Sequence, residues 1–238
     1  MSLMSLQRRV EPELLDQLPP SDPGAVHSRR DIRRINAMLR HAEVMARAVT
    51  RHRPHDQPST ILDLGAGDGT FMLQLARRLA SRWHNVSVIL LDRQDIVASE
   101  TRQALAARHW KVETVTADVF DYLEKTQRSG VDVIIANLFL HHFTDEDLTR
   151  LLARAAQSAS LFVSCDPRRT ALVRELSRLL WAIGCNHVSI HDAVVSAAAG
   201  FNGKELSALW PKGNDWELQE HEAFPFSHCL VARRAHKE

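Results

Sequence analysis

From Ile61 to Thr70 the sequence reads Ile-Leu-Asp-Leu-Gly65-Ala-Gly67-Asp-Gly69-Thr70, an apolar strand running into a glycine-rich turn. The helix that follows carries Phe71, Leu75 and Leu79. Glycines at such a turn let the backbone approach a ligand closely. Two kinds of nucleotide-like cofactor use turns of this sort, and spacing separates them. The dinucleotide fingerprint is G-x-G-x-x-G, which seats a pyrophosphate on a helix N-terminus; here the spacing is G-x-G-x-G. Asp63 lies inside the strand, just ahead of the first glycine, where a carboxylate repels a pyrophosphate and suits a cationic ammonium group.

Outward from this turn, short apolar runs alternate with helical patterns, as in parallel strands joined by crossover helices. The strands are Ile61 to Leu64, Val86 to Leu91, Val112 to Thr116, Val131 to Ala136 and Leu161 to Ser164. Trp216 to Glu220 and His228 to Arg233 read as two closing strands. Thr144 to Asp147 forms a capping box ahead of a helix with Leu148, Leu151, Leu152 and Ala155 on one face. After Pro167 another helix carries Leu172, Leu176, Leu179, Leu180 and Ile183 on one face and stops at Gly184. The expected fold class is α/β: a Rossmann-like, doubly wound, seven-stranded sheet with an antiparallel last strand, an N-terminal helical extension and an insertion before strand 6. Residues 1–55 are the arm and helix of that domain, and residues 56–238 the remainder, with the insertion at about 187–211.

Two more acids follow the glycine turn at informative places. Asp92 closes the second strand, where a carboxylate beside the first βα turn accepts both hydrogen bonds of a ribose diol. Asp118 follows the third strand and is placed to receive an adenine amino group. With Asp63 and the glycines, this set resembles the class I S-adenosylmethionine methyltransferases, from roughly Ser59 to Arg233. The resemblance implies S-adenosylmethionine as cofactor, with Asp63, Gly65 and Gly67 at its methionine end, Asp92 at the ribose, and Asp118 with Val119 at the adenine. Arg93 and Asn137, which follow the second strand and close the fourth, join the cofactor-binding set. The closing hairpin is similar to the family's antiparallel pair.

Composition narrows the partners. Lys plus Arg number 30 against 29 Asp plus Glu, so a net charge of +1 offers no field to hold a polyanion, and no nucleic-acid partner is expected. Cys165, Cys185 and Cys229 have no framework spacing, which points to a reducing compartment, the cytoplasm. Met1 to Val10 lacks an apolar core of signal-peptide length and no stretch approaches the ~20 apolar residues of a span, so no membrane insertion is expected. The oligomeric state is not legible.

In an open parallel sheet the ligand lies over the carboxyl ends of the strands, which places Asn137-Leu-Phe-Leu140-His141-His142-Phe143 beside the reactive methyl. Methyl transfer is an in-line displacement, so the protein aligns the acceptor and manages its proton. A phenol with a pKa of about 10 needs a base, and histidine is the natural one. The catalytic candidates are His141, His142 and His191, the last beside Asp192 as orienter. Cys185, His187 and His191 lack a fourth ligand, and no metal is expected. Ser28 to Asp31 matches a capping box, after which Ile32, Ile35, Leu39, Met45 and Val49 form one amphipathic helix ending before Pro54. His27 and the cluster Arg29, Arg30, Arg33 and Arg34 read as surface groups. Pro12, Pro19, Pro20 and Pro23 make the preceding segment an irregular surface arm, a poor place for catalysis.

Among small-molecule members the chain resembles bacterial enzymes of the ubiquinone-biosynthesis type, especially those accompanying polyketide or phenolic-lipid pathways, through His27 to Asn36 and Asp192 to Pro211. That resemblance implies methylation of a hydroxyl on an aromatic or polyketide-like small-molecule acceptor, with Phe139, Phe143, Phe201 and Trp210 available for an apolar pocket. The alternatives are an RNA or protein methyltransferase, or a non-catalytic S-adenosylmethionine-binding protein. Base-amino methyltransferases resemble one another in an Asn/Asp-Pro-Pro-aromatic stretch after the fourth strand, where this chain has Asn137-Leu-Phe-Leu140. Cys165 resembles the nucleophile of RNA cytosine-C5 enzymes but lacks their second cysteine, and reads as a buried apolar residue.

Overall fold

The computed structural model describes residues 7–52, 57–125, 130–213 and 215–235. In chain order its elements are α1 (Leu14–Gln17), α2 (Pro23–Met38), α3 (His41–His52), β1 (Thr60–Leu64), α4 (Thr70–Leu79), β2 (Ser87–Asp92), α5 (Ser99–Ala106), β3 (Lys111–Thr116), α6 (Val119–Lys125) and β4 (Val133–Asn137). A short 3-10 helix (Leu140–His142) leads into α7 (Asp145–Ser158), β5 (Leu161–Pro167), α8 (Ala171–Arg178) and a second 3-10 turn (Leu180–Ile183). α9 (His187–Ala199), α10 (Glu205–Leu209), β6 (Trp216–Ala223) and β7 (Ser227–Arg234) complete the chain.

Among the described residues the sheet has seven strands in the order β3-β2-β1-β4-β5-β7-β6. β1 pairs in parallel with β2 and with β4, so the strand order reverses direction there. β7 runs antiparallel between β5 and β6, from Leu161 opposite Arg233 to Pro167 opposite Ser227. Both faces are covered. Ile61, Val88, Leu90, Ile135 and Val163 pack against α3, α4 and α5, while Leu62, Leu64, Ile134, Phe162 and Leu230 pack against α6, α7 and α10. Strands buried on both faces read as continuous apolar runs, which is why the parallel core was visible in the sequence.

The N-terminal part departs from the expected helix in two ways. α2 begins at Pro23 rather than Ser28, because Asp22 Oδ1 accepts the amides of Gly24 (2.7 Å) and Ala25 (3.1 Å) and Pro23 tolerates the first turn. Ser28 and Asp31 are not a cap. Both are fully buried inside α2, where Ser189 Oγ donates to Asp31 Oδ2 (2.8 Å) and lies 3.1 Å from Ser28 Oγ, and the Asn186 amide donates to Asp31 (3.0 Å). They tie α2 to the start of α9. The stripe from Ile32 to Val49 is then split, since Arg40 takes a left-handed conformation (φ 56°) between α2 and α3. Pro54 lies outside the described residues.

The helix after Pro167 also differs from a core element. Thr170 Oγ1 caps α8 by accepting the Val173 amide, and Gly184 ends the segment at φ 82°. Its apolar residues nevertheless turn to solvent. Among the described residues no helix is long and apolar enough to cross a membrane.

Candidate active site

The reversal of strand order between β1 and β4 opens a crevice at their carboxyl ends, and the glycine turn lies in it. The Gly65 and Ala66 amides both donate to Leu91 O (2.9 and 3.0 Å), which folds the turn across the end of β2. Gly65 adopts φ 69°, and a Cβ there would lie 2.3 Å from the Phe139 ring that follows β4. Only glycine allows this meeting of the β1 and β4 loops. Gly67 differs: its φ is 55°, and a Cβ would meet nothing within 4 Å, so the bare backbone faces open space.

The acids sit at the ends of three adjacent strands. Asp92 Oδ2 accepts the Gly67 amide (2.8 Å) and Oδ1 the Gln94 amide (2.9 Å), leaving a lone pair on each oxygen for a diol. Asp63 is buried and its Oδ2 has no hydrogen-bond partner among the described residues. Burial, and then the charge of Asp92, raises its carboxyl well above the ordinary value. A cationic ligand would reverse that. Asp118 is exposed, starts α6 by accepting the Phe120 amide (2.8 Å), and is followed by buried Val119. The orphaned acid and the open backbone at Gly67 fit the amino-acid end of S-adenosylmethionine, and Asp92 fits its ribose.

Beyond the cofactor crevice the two adjacent histidines part company. His141 is buried, with Nδ1 donating to Asp166 Oδ1 (2.9 Å) and Nε2 to Glu13 Oε1 (3.3 Å). Two acceptor carboxylates require both ring nitrogens to carry protons. Burial opposes that charge, but the bonds to Asp166 and Glu13 prevail and raise the ring to about 9. Glu13 is correspondingly held down at about 2, against its own burial, by the bond from His141 and the charge of that ring. His142 moves the other way: burial, then the charge of His141, lowers it below the ordinary value. Its ring remains partly open, 3.7 Å from Asp16 through Nδ1 and beside the Phe139 ring.

Glu13 and Asp16 belong to the proline-rich arm, which is not an idle surface strand. The Asp192 carboxylate accepts the Leu14 and Leu15 amides (2.8 and 2.9 Å), docking α1 on α9. Asp16 reaches Arg93 (3.3 Å), so the arm bridges the ends of β2 and β4. Arg8 secures it further, donating to Asp145 (2.7 Å), Phe143 O (2.7 Å) and Ala199 O (2.9 Å). Asp166 Oδ1 also accepts the Phe139 and His141 amides (3.1 and 3.2 Å), so the end of β5 shapes the loop after β4.

The remaining candidates lie elsewhere. His191 bonds Asp192 Oδ1 (3.0 Å), but that carboxylate is committed to α1, and the ring lines a separate cavity of about 500 Å³ with Arg9, Glu11, Arg174 and Arg178. The Asn137 amide is spoken for: its Oδ1 accepts from His41 Nδ1 (2.8 Å) and its Nδ2 donates to Asn36 (3.0 Å), while Ser227 Oγ donates to His41 Nε2 (2.6 Å). Burial keeps His41 neutral by lowering it to about 4. Phe139 and Phe143 pack edge to face at the crevice (5.0 Å), whereas Phe201 and Trp210 are buried core, Trp210 against Phe162 and Trp216. His27, on the outer side of α2, lies 3.6 Å from Asp31. Glu13, His141 and His142 bring ligand-type atoms within 4.8 Å of one another. With both His141 nitrogens donating to carboxylates, they form an ion-paired network rather than a metal cage.

Glu13, Asp16 and Asp166 escaped the sequence reading. Asp166, near the carboxyl end of the fifth strand, stood at a position like that of Asp92; nothing in the arm's sequence signalled Glu13 or Asp16.

Residues 61–161 match the family described as methyltransferase domain (Methyltransf_25). A curated relative, the tRNA1(Val) (adenine(37)-N6)-methyltransferase of Shewanella halifaxensis (strain HAW-EB4), is 26% identical over 194 residues, covering 77% of this chain and 72% of its own. Among solved structures, the mitomycin 7-O-methyltransferase MmcR has a TM-score of 0.62 at 22% identity, over 93% of this chain and 60% of its own. The plantazolicin methyltransferase BpumL, in complex with SAH, has a TM-score of 0.59 at 15% identity, over 90% and 92%. A protein of Nostoc punctiforme PCC 73102 named as an O-methyltransferase has a TM-score of 0.59 at 17% identity, over 90% of this chain and 62% of its own. The chain thus spans less than two thirds of the MmcR and Nostoc structures, and at these identities all three show a shared fold. Asp63, Gly65, Gly67, Asp92 and Asp118 all fall inside the matched segment, so the crevice with its three acids lies within a methyltransferase domain, of the kind that uses S-adenosylmethionine.

Proposed function

We propose that the chain transfers a methyl group to the hydroxyl of a small aromatic or polyketide-like acceptor, with His142 as the base that takes the hydroxyl proton. Bound S-adenosylmethionine supplies a methyl already activated on a sulfonium. Asp63, Gly65, Gly67 and Asp92 would hold it, with Asp118 and Val119 at the adenine end. The observation that carries the assignment of the base is the opposite state of two neighbouring rings: His141 charged and doubly bonded, His142 neutral and partly open. A fixed imidazolium at a ring-centroid distance of 4.3 Å disfavours charge on His142, keeping its lone pair available at neutral pH. Asp16 stands within 3.7 Å of Nδ1, so as His142 gains a proton the arm supplies the compensating charge. Phe139 and Phe143 offer an apolar wall for an aromatic ring.

The curated relative is named for tRNA adenine, which supports a nucleic-acid acceptor as the second reading. Against it, the Asn137 amide is engaged on both sides by His41 and Asn36, so it is not free to bind the amino group of a flipped base. Labelled methyl transfer to a panel of hydroxylated aromatics, beside bulk tRNA, separates the two. His142→Gln should preserve cofactor affinity and lower kcat about 10²- to 10⁴-fold, the range for a general base. Full activity in that variant removes His142 from the chemistry.

A further inference from the structure

We propose that the face formed by α8, the turn after it and the end of α2 docks the enzyme on the surface of an anionic phospholipid membrane. Leu172, Leu176 and Leu179 recur at i, i+4 and i+7 along α8, and they are 61%, 37% and 53% exposed. Trp181 and Ile183 continue the stripe at 65% and 36%. The inner side of α8 packs on α9, so the outer side has no partner within the described residues. Single exposed apolar side chains are ordinary, but a contiguous row of them marks an interaction surface.

Charge decides what it meets. On α8 itself Arg174 and Arg178 both pair with Glu175 and line the cavity beside α9, so the basic border of this face comes from α2. On the other side, Arg34 of α2 donates to Ile183 O, which brings the outer stripe of α2, Arg30, Arg34 and exposed Met38, alongside Trp181 and Ile183. Arg30 makes no ion pair among the described residues, and Arg34 pairs with the buried Asp31 at 3.3 Å. A two-fold contact between copies would press this arginine border against itself, since the same patch faces itself across the axis. An anionic bilayer answers both features. Its hydrocarbon boundary takes Leu172, Leu176, Leu179 and Trp181, and its headgroups take the arginines, the arrangement of an interfacial amphipathic helix.

Trp181 provides a built-in probe, because Trp83, Trp110 and Trp210 are buried in the core and Trp216 is packed between Trp210 and Arg234. The full chain is mixed with vesicles of phosphatidylcholine alone or of phosphatidylcholine with phosphatidylglycerol. The expected result is co-sedimentation and a blue shift of tryptophan emission with the anionic vesicles only. Trp181→Leu should still sediment but lose the shift. Leu172→Ser, Leu176→Ser and Leu179→Ser together should abolish both while S-adenosylmethionine binding is unchanged, and Arg30→Gln should weaken vesicle binding about 5-fold. Sedimentation that ignores the anionic lipid, or survives the triple variant, overturns the proposal. So does self-association in ultracentrifugation that the triple variant abolishes with no vesicle binding, which would assign the face to a second copy.

Discussion

The Glu13–His141–Asp166 network makes a sharp prediction about stability and pH. The His141 ring is raised from 6.5 to about 9, so its contribution is complete below about 6.5, where the unfolded ring is protonated too, and declines as pH climbs to about 9. At about 1.4 kcal/mol for each pH unit, the loss across that window is roughly 3 kcal/mol. Glu13 has the opposite sign: lowered from 4.5 to about 2, it contributes fully above about 4.5, and that share is lost as pH falls toward 2. Glu13→Gln leaves Asp166 in place but removes one of the two charges facing the ring. Near pH 6 it should cost about 2 kcal/mol, the worth of a hydrogen bond between charged groups. Because the ring then titrates closer to its ordinary value, the difference from the parent should shrink as pH rises to about 9. Urea unfolding followed by circular dichroism at pH values from about 6 to 9.5 measures both curves. A gap between them that stays constant over this range refutes the reasoning, since it would mean that His141 carries no proton whose release Glu13 controls.

Asp92→Ala should weaken S-adenosylmethionine binding by about 2–3 kcal/mol, read by calorimetry, because it removes a charged acceptor and the anchor of the Gly67 amide. Gly65→Ala should destabilise the fold by about 1–3 kcal/mol in thermal unfolding and lower cofactor affinity, as the new methyl meets the Phe139 ring at φ 69°. Asp192→Ala removes the acceptor of the Leu14 and Leu15 amides and should cost about 1–3 kcal/mol. Its signature is faster proteolysis within residues 7–22 at unchanged cleavage elsewhere.

The sheet and the glycine turn were legible because both are local. Ile61 to Leu64 is buried on both faces and so reads as an unbroken apolar run, and the glycines beside it are set by turn geometry that their own sequence records. The N-terminal helices were misread where tertiary bonds outrank local signals. Ser28 and Asp31 have the spacing of a cap, yet their partners are Ser189 and Asn186, more than 150 residues away, while the actual cap is Asp22 with Pro23. α8 shows the complementary failure. Its apolar face is plain in the sequence, but periodicity says only that a stripe exists, not that the molecule itself covers it.

The same limit explains why the sequence could not choose between His141 and His142. Neighbours in the chain and both near the end of β4, they owe their opposite protonation to where remote carboxylates land. Asp166 arrives from the end of β5 and Glu13 from an arm 128 residues earlier, and both converge on one ring. That convergence leaves His142 with a cation as its neighbour, Asp16 at 3.7 Å and Glu13 within 4.8 Å. If the arm were drawn away, Glu13 and Asp16 would leave together: His141 would lose part of the support for its charge, and His142 would lose the acids that favour its protonated form. The arm therefore couples its own docking to the protonation of the proposed base, His142, and Asp192, Arg8 and Arg93 all fix it.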